Sequence, residues 1–280
     1  MTNVEINNII NGLKQGEVIP YLGPGALTGV VNTATGEPIP AESEALILAM
    51  NKGKPMAPKL MYEFSRAAMN LELKRGRRFI SQFLTQLYGN TQWTRSPLHG
   101  WLASLNLPYL IDTNRDTQSQ QEYAHRPHTL IVGIARIGGT DYRFQLYHYD
   151  NQQYRAINLE EVDTQLPVLF KPLGTPLPEP SYIASDADYV DFLTELMGGF
   201  GIPIFIKNYR RDKRYLLLGL RLTRDTERMI LSDMIYDAAS PHSGWVLIPA
   251  PTEKEKRFCK KLGLEILELS VEEWLAEVNK

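Results

Sequence analysis

The sequence predicts an α/β protein built on a mostly parallel sheet that helices cover on both faces. Two observations carry this. Short apolar runs recur at residues 18–22, 107–111, 168–171, 215–218, 245–248 and 264–267, and several end in glycine or polar loops. Between them lie segments whose apolar residues recur at helical spacing, some opened by capping pairs such as Thr252 with Glu255 and Ser270 with Glu273.

The elements follow in order. Thr2 and Glu5 form a capping-box pair, and Val4, Ile6, Ile9, Ile10 and Leu13 continue a helix that Gly16 stops. The run 18–22 reads as a buried strand entering the tight loop Gly23-Pro24-Gly25, and 31–40 reads as a loop. Residues 41–106 form a helical insertion. Its helices are marked by Leu46, Ile47 and Met50, by Phe64, Ala67 and Leu71, by Ile80, Phe83 and Leu84, and by 101–105. The strand 107–111 leads into Asp112-Thr113-Asn114-Arg115-Asp116.

Residues 125–165 read as a small strand-rich insertion, because 129–137 and 142–149 alternate around Gly138-Gly139 as a hairpin would. Ser185 and Asp188 cap a helix through Leu196. The strand 215–218 ends at Gly219, and a helix spans 226–235. Thr252 opens a helix that ends at Gly263, and Ser270 opens the last one. No composition shift divides the chain, so 1–280 is expected to be a single domain.

Bulk properties narrow the function. The 280 residues are 43% hydrophobic and 22% charged, with a formal net charge of −2, which argues against a dedicated binder of nucleic acid or anionic membrane. The single cysteine, Cys259, excludes a disulfide within the chain and a four-cysteine zinc site. No run reaches the roughly 18 apolar residues of a membrane span. The N-terminus carries no secretory pattern, so a cytoplasmic protein is expected. His99, His125, His128, His148 and His242 show no metal-ligand spacing, and no metal is expected.

Ligands of such sheets bind beyond the carboxyl ends of the strands. Three loops fall there: Gly23-Pro24-Gly25, 113–116 and 219–224. Glycines there allow backbone amides to approach a phosphate closely. As a bare motif Gly23-Pro24-Gly25 is better explained by a plain turn, and a loop Asn and Asp bonding their own backbone would explain Asn114 and Asp116.

The order of these segments resembles a family. Gly16 through Leu27, with Gly23-Pro24-Gly25-Ala26-Leu27 at its end, looks like the opening strand and Gly-Ala-Gly-x-Ser loop of bacterial sirtuin-like domains. Ser96-Pro97-Leu98-His99 and Leu102-Ala103-Ser104-Leu105 resemble the helix before that family's second motif. Thr113-Asn114-Arg115-Asp116 is similar to its Thr-Asn-x-Asp. Pro167 through Gly174 sits where the family has Lys-Leu-His-Gly, and 188–193 resembles the helix that follows. Tyr215 to Gly219 resembles the strand before Gly-x-Ser. Residues 257–275 resemble the C-terminal end.

The resemblance implies a Rossmann-like sheet of the sirtuin type and a site for NAD or an ADP-ribose-like nucleotide. Gly23, Pro24, Gly25, Ala26, Leu27, Thr113, Asn114, Asp116, Gly219 and Arg221 would line that site. By the same resemblance, Asn114 would orient a water or ribose hydroxyl during cleavage of the nicotinamide–ribose bond, and Asp116 would lie near the ribose hydroxyls.

The departures are as informative. Leu173 matches the family's catalytic histidine and cannot take a proton, a loss worth typically 10²–10⁴-fold. Leu27 matches the serine of the first motif, and Pro24 matches its alanine and removes an N–H donor. Arg221 matches the serine of Gly-x-Ser, and Arg224 the aspartate after it. The zinc cysteines of the protein-deacylating branch are absent.

Arg221 and Arg224 are expected to face the pocket and could bind an extra phosphate; the alternative is an ion pair with Asp225 or Glu227. The clusters Lys74, Arg75, Arg77, Arg78 and Lys207, Arg210, Arg211, Lys213, Arg214 read as solvated faces or partner contacts, not nucleic-acid sites.

Three readings stay open at this point. The leading one is a catalytically degenerate pseudoenzyme that binds an NAD-related nucleotide, or keeps a remnant of that site, and works through a protein partner or homo-oligomer. The second is an active NAD hydrolase, as resembling domains of bacterial defence systems are. The third is a pure interaction scaffold with a closed pocket.

Overall fold

A computed structural model describes residues 3–137 and 142–279. The Thr2 half of the first capping pair and the Gly138-Gly139 turn lie outside the described residues.

The chain opens with helix α1 (Asn3–Gln15), strand β1 (Val18–Leu22) and a 3-10 turn at Pro24–Leu27. The helical insertion holds α2 (Ser43–Met50), α3 (Pro58–Met61), α4 (Phe64–Arg75), α5 (Arg77–Thr85) and α6 (Pro97–Ser104). Then come β2 (Tyr109–Asp112), α7 (Gln118–Glu122), β3 (His128–Gly133), β4 (Phe144–Tyr149), β5 (Tyr154–Ile157), β6 (Val168–Lys171), β7 (Gly174–Thr175) and β8 (Ser181–Tyr182). The last third holds α8 (Asp186–Met197), α9 (Ile204–Tyr209), β9 (Arg214–Leu218), α10 (Asp225–Met234), β10 (Gly244–Leu247), α11 (Glu253–Leu262), β11 (Leu264–Leu267) and α12 (Val271–Val278).

A nine-stranded sheet in the order β11-β10-β9-β1-β2-β6-β3-β4-β5 forms the centre. Pairing is parallel from β11 to β3 and antiparallel from β3 to β5. Within it, β6-β2-β1-β9-β10-β11 follows the doubly wound order 3-2-1-4-5-6, so the architecture is that of a Rossmann-like α/β sheet. The strand-rich insertion extends one edge by β3, β4 and β5. Among the described residues, no helix is long and apolar enough to cross a membrane.

Both faces of the parallel centre of the sheet are buried, which is why β1, β2, β6 and β9 read as apolar runs, whereas β4 and β5 at the antiparallel edge are partly exposed. Ile19, Tyr21, Ile111, Phe170 and Leu217 feed one core, while Leu22, Leu110, Leu169, Leu216 and Leu218 feed the other. A third core joins the helical insertion to the body: Leu46, Ile47, Phe64, Ala67 and Leu84 pack with Leu27, Val30, Tyr182 and Ala184.

The capping boxes expected at Ser185, Thr252 and Ser270 all form. Several short elements escape the sequence reading, α7 among them. Helix α9 spans little more than a turn and buries only Ile206 in full, too little to give a period. Strands β7 and β8 are a two-residue ladder with no pattern at all.

Register places the site. Leu22 stands level with Leu218 on one side and Asp112 on the other. The loops after β1, β9 and β2 therefore leave the sheet side by side, at the switch point where the strand order reverses.

Candidate functional site

The first two of these loops are closed onto each other. The Gly23 N–H donates to the Leu218 carbonyl at 2.9 Å, and the Gly25 N–H to the Gly219 carbonyl at 2.8 Å. The Ala26 N–H turns back to the Gly23 carbonyl at 3.0 Å, and the Thr28 N–H to that of Gly25 at 3.2 Å. Pro24 has no N–H to offer. The amides of Gly23, Gly25, Ala26 and Thr28 in the β1 loop are thus spent inside the protein.

Contact is backbone to backbone. Gly219 has φ +70°, and a Cβ on it would sit 2.3 Å from the Ala26 nitrogen. A Cβ on Gly25 would sit 2.9 Å from the Gly219 Cα. Ala26 and Leu27 are buried, and Leu27 belongs to the third core.

The loop after β2 is anchored by a buried ionic cluster. Asp112 and Lys171 end neighbouring strands β2 and β6, and the Lys171 Nζ donates to Asp112 Oδ2 at 2.8 Å. His99 of α6 places its Nε2 at 3.4 Å from the same oxygen. The other oxygen, Oδ1, accepts the Asn114 backbone N–H and the Asn114 Nδ2, both at 3.0 Å. Burial alone would raise the Asp112 carboxyl, but the Lys171 ammonium and the His99 bond outweigh it and hold it well below the usual carboxylate range.

His99, Asp112 and Asp116 bring ligand-type atoms within 4.8 Å of one another. The Lys171 ammonium already meets the charge of Asp112, so a divalent cation added there would face it across a few ångströms of low-dielectric interior. The cluster is built as an ion-paired core.

Asn114 is fixed by this arrangement. Its Nδ2 also donates to the Gly23 carbonyl at 2.9 Å, tying the β2 loop to the β1 loop. That leaves Oδ1 as its free acceptor, and Asn114 lines a cavity of about 80 Å³. Pro24, Thr113, Leu173 and Leu220 line it from the sheet side, Glu63 and Phe64 from the helical insertion, and Thr226, Glu227 and Ile230 from α10. The rings of Tyr21, Tyr88 and Tyr189 complete the wall.

The charged groups of the wall differ in their commitments. Arg115 is held by neutral acceptors: its Nε and Nη2 donate to the Ile183 carbonyl at 3.0 and 2.6 Å, and Nη2 donates to the Tyr189 hydroxyl at 3.0 Å. Glu63 accepts the Thr226 hydroxyl. Glu227 Oε2 is shut off from solvent and has no hydrogen-bond partner. Burial, with Glu42 and Glu63 nearby, pushes the Glu227 carboxyl up to about 8, against a smaller downward pull from the Arg224 N–H and guanidinium.

The expected site residues therefore divide. Pro24, Thr113 and Asn114 line the cavity together with Leu173, the position matched by resemblance to a histidine. Gly25, Gly219 and Arg221 lie instead along a groove of about 140 Å³ beside β10 and the start of α12. Asp116 is buried and turned inward, its Oδ1 accepting the Gln118 N–H at 2.6 Å.

The two arginines do not face the cavity as expected. Arg221 reaches across to buried Glu255, Nε to Oε1 3.6 Å, because a carboxylate without another donor on that oxygen stands there. Arg224 stacks over the Tyr62 ring at 4.0 Å. The alternative partner for the pair is also corrected: Asp225 pairs with Arg228.

Other histidines lie elsewhere. His125 and His128 bond within the protein: His125 Nδ1 meets the Glu122 carbonyl at 2.9 Å, and His128, which opens β3, places its Nε2 2.7 Å from the Tyr154 hydroxyl. Burial lowers the His128 imidazole to about 4. Cys259 is buried, and burial raises its thiol to about 11.

Asp112, Lys171, Glu63 and Glu227 were not singled out by motif. A signal existed for the first two, since a charged residue ends each of two apolar strands. Glu63 and Glu227 reach the cavity from distant segments and carried none.

A scan against protein-family models finds no match to this chain, and a search of curated proteins finds no significant match.

Proposed function

We propose that this chain is a divergent sirtuin-like protein, degenerate as a consumer of NAD, which keeps a remnant of a ligand site and acts through a protein partner or its own oligomer. One observation carries the reading: the Gly25 N–H is given to the Gly219 carbonyl across the switch point. In a doubly wound sheet that is where a pyrophosphate would sit against free amides.

NAD and ADP-ribose do not fit the residues present. The cavity beside Asn114 has about 80 Å³, against roughly 300–1,000 Å³ for ordinary ligand pockets. Leu173 faces it with a side chain that cannot accept a proton. The sheet order and the ordered series of motifs support the family reading. The polar wall of Asn114 and Glu227 is unlike the side-chain-filled pocket that a pure scaffold calls for.

A second reading, an NAD hydrolase, is favoured by Asn114 alone. Its amide is held from two sides and its Oδ1 is left for a ligand.

Calorimetric titration with NAD and with ADP-ribose, alongside a nicotinamide-release assay, separates the two. The proposal expects no saturable heat and no release from folded protein. Nicotinamide release that vanishes in Asn114→Ala would overturn it in favour of the hydrolase.

A further inference from the structure

We propose that the cavity between Asn114 and Glu227 is a receptor site for a small primary ammonium ion. The inference takes from the reading above only that the cavity does not serve a dinucleotide.

The wall is rich in acceptors and poor in free cations. Glu227 Oε2 is buried and unpartnered, and Glu63 stands beside it on the same wall. The Asn114 amide nitrogen is spent on Gly23 and Asp112, so the group faces the cavity as an acceptor. An ammonium brings three N–H donors and one positive charge, which matches two carboxylates and a carbonyl oxygen. An anion would find the neighbouring glycine-loop amides already bonded and a carboxylate in its way.

Aromatic surface suits the same occupant. Phe64 and Tyr189 line the cavity, and faces of such rings attract cations. The Arg115 guanidinium also lines it, but two acceptors hold it, and it sits 5.5 Å from the Phe64 ring centre. Volume limits the ligand to a few non-hydrogen atoms, the scale of an alkylamine and not of a peptide or nucleotide.

Binding such a cation requires Glu227 in its ionised form, so affinity and proton release are linked. The groups that bear on that carboxyl are Glu42, Glu63 and Arg224 at short range, with Tyr21 across the cavity. With the carboxyl at about 8, the ionised fraction rises about tenfold between pH 7 and pH 9, and the apparent affinity should rise by the same factor.

The test uses the full chain and n-butylammonium, with n-butanol and butyrate as neutral and anionic counterparts of similar shape. Calorimetry at pH 7 and pH 9 is expected to show saturable binding of the amine only, tightening about tenfold at the higher pH. Glu227→Gln is expected to lose at least tenfold in affinity and all of the pH dependence. Equal binding of butanol, preference for butyrate, no binding of the amine, or unchanged affinity in Glu227→Gln would each overturn the proposal. Should that variant not fold, the wild-type pH series decides alone, since a pH-independent affinity contradicts it. Heat on adding NAD would sink the closed-crevice reading and leave the amine result standing.

Discussion

Asp112 and Lys171 illustrate what single residues do here. Each is fully enclosed, and each would be costly alone, because a buried charge without a partner loses its hydration and gains nothing back. Lys171→Met is therefore expected to destabilise the protein by about 3–5 kcal/mol, measured by denaturant unfolding. The double variant with Asp112→Asn should recover much of that loss, because both charges are then gone. Glu227 makes a prediction with a definite pH sign. Its folded carboxyl titrates at about 8, whereas an unfolded glutamate titrates near ~4.3. The folded state thus holds the proton more tightly. Its contribution is fully present below the unfolded value and is lost as pH rises through 8. Glu227→Gln should flatten that decline, leaving the variant more stable than wild type at pH 9 and close to it at pH 4. The Asp112–Lys171 pair was legible in principle, as two charges ending apolar strands. Glu227 was not, because nothing local marks a glutamate that meets the cavity only through tertiary packing.

At the scale of elements, the junction of the β1 and β9 loops is the telling piece. It depends on two glycines with no side chain between the backbones. Gly219→Ala adds a methyl at φ +70° directly against the Ala26 nitrogen. Unfolding measurements should show a loss of more than about 1 kcal/mol, because an unsuitable φ and a backbone collision add. Most elements were legible from periodicity and caps. Residues 185–196, 252–263 and 270 onward carry capping pairs that form as expected. What sequence could not give was contact between loops. Gly23-Pro24-Gly25 looks the same whether its amides face a ligand or a neighbouring carbonyl. Arg221 was misplaced for a related reason: its partner, Glu255, caps a helix far along the chain and showed no sign of reaching it.

For the whole molecule, the alternation of strand and helix sufficed for a mostly parallel sheet, and the switch point followed from the strand order. The helices between residues 41 and 106 were legible from their spacing, but their seat was not. The third core with Leu27 and Tyr182 makes them part of the body, held by buried apolar surface and not by a hinge. The closed glycine contact also bears on which changes the protein can absorb. A lost side chain can be restored by one substitution, whereas two backbones that have come together cannot be parted by one. On the sirtuin-like reading proposed above, Leu173→His is accordingly expected to release no nicotinamide from NAD, because the Gly25 N–H stays bonded to the Gly219 carbonyl. Single substitutions can therefore refine the small cavity beside Asn114, whereas reopening the junction of the β1 and β9 loops needs several changes at once.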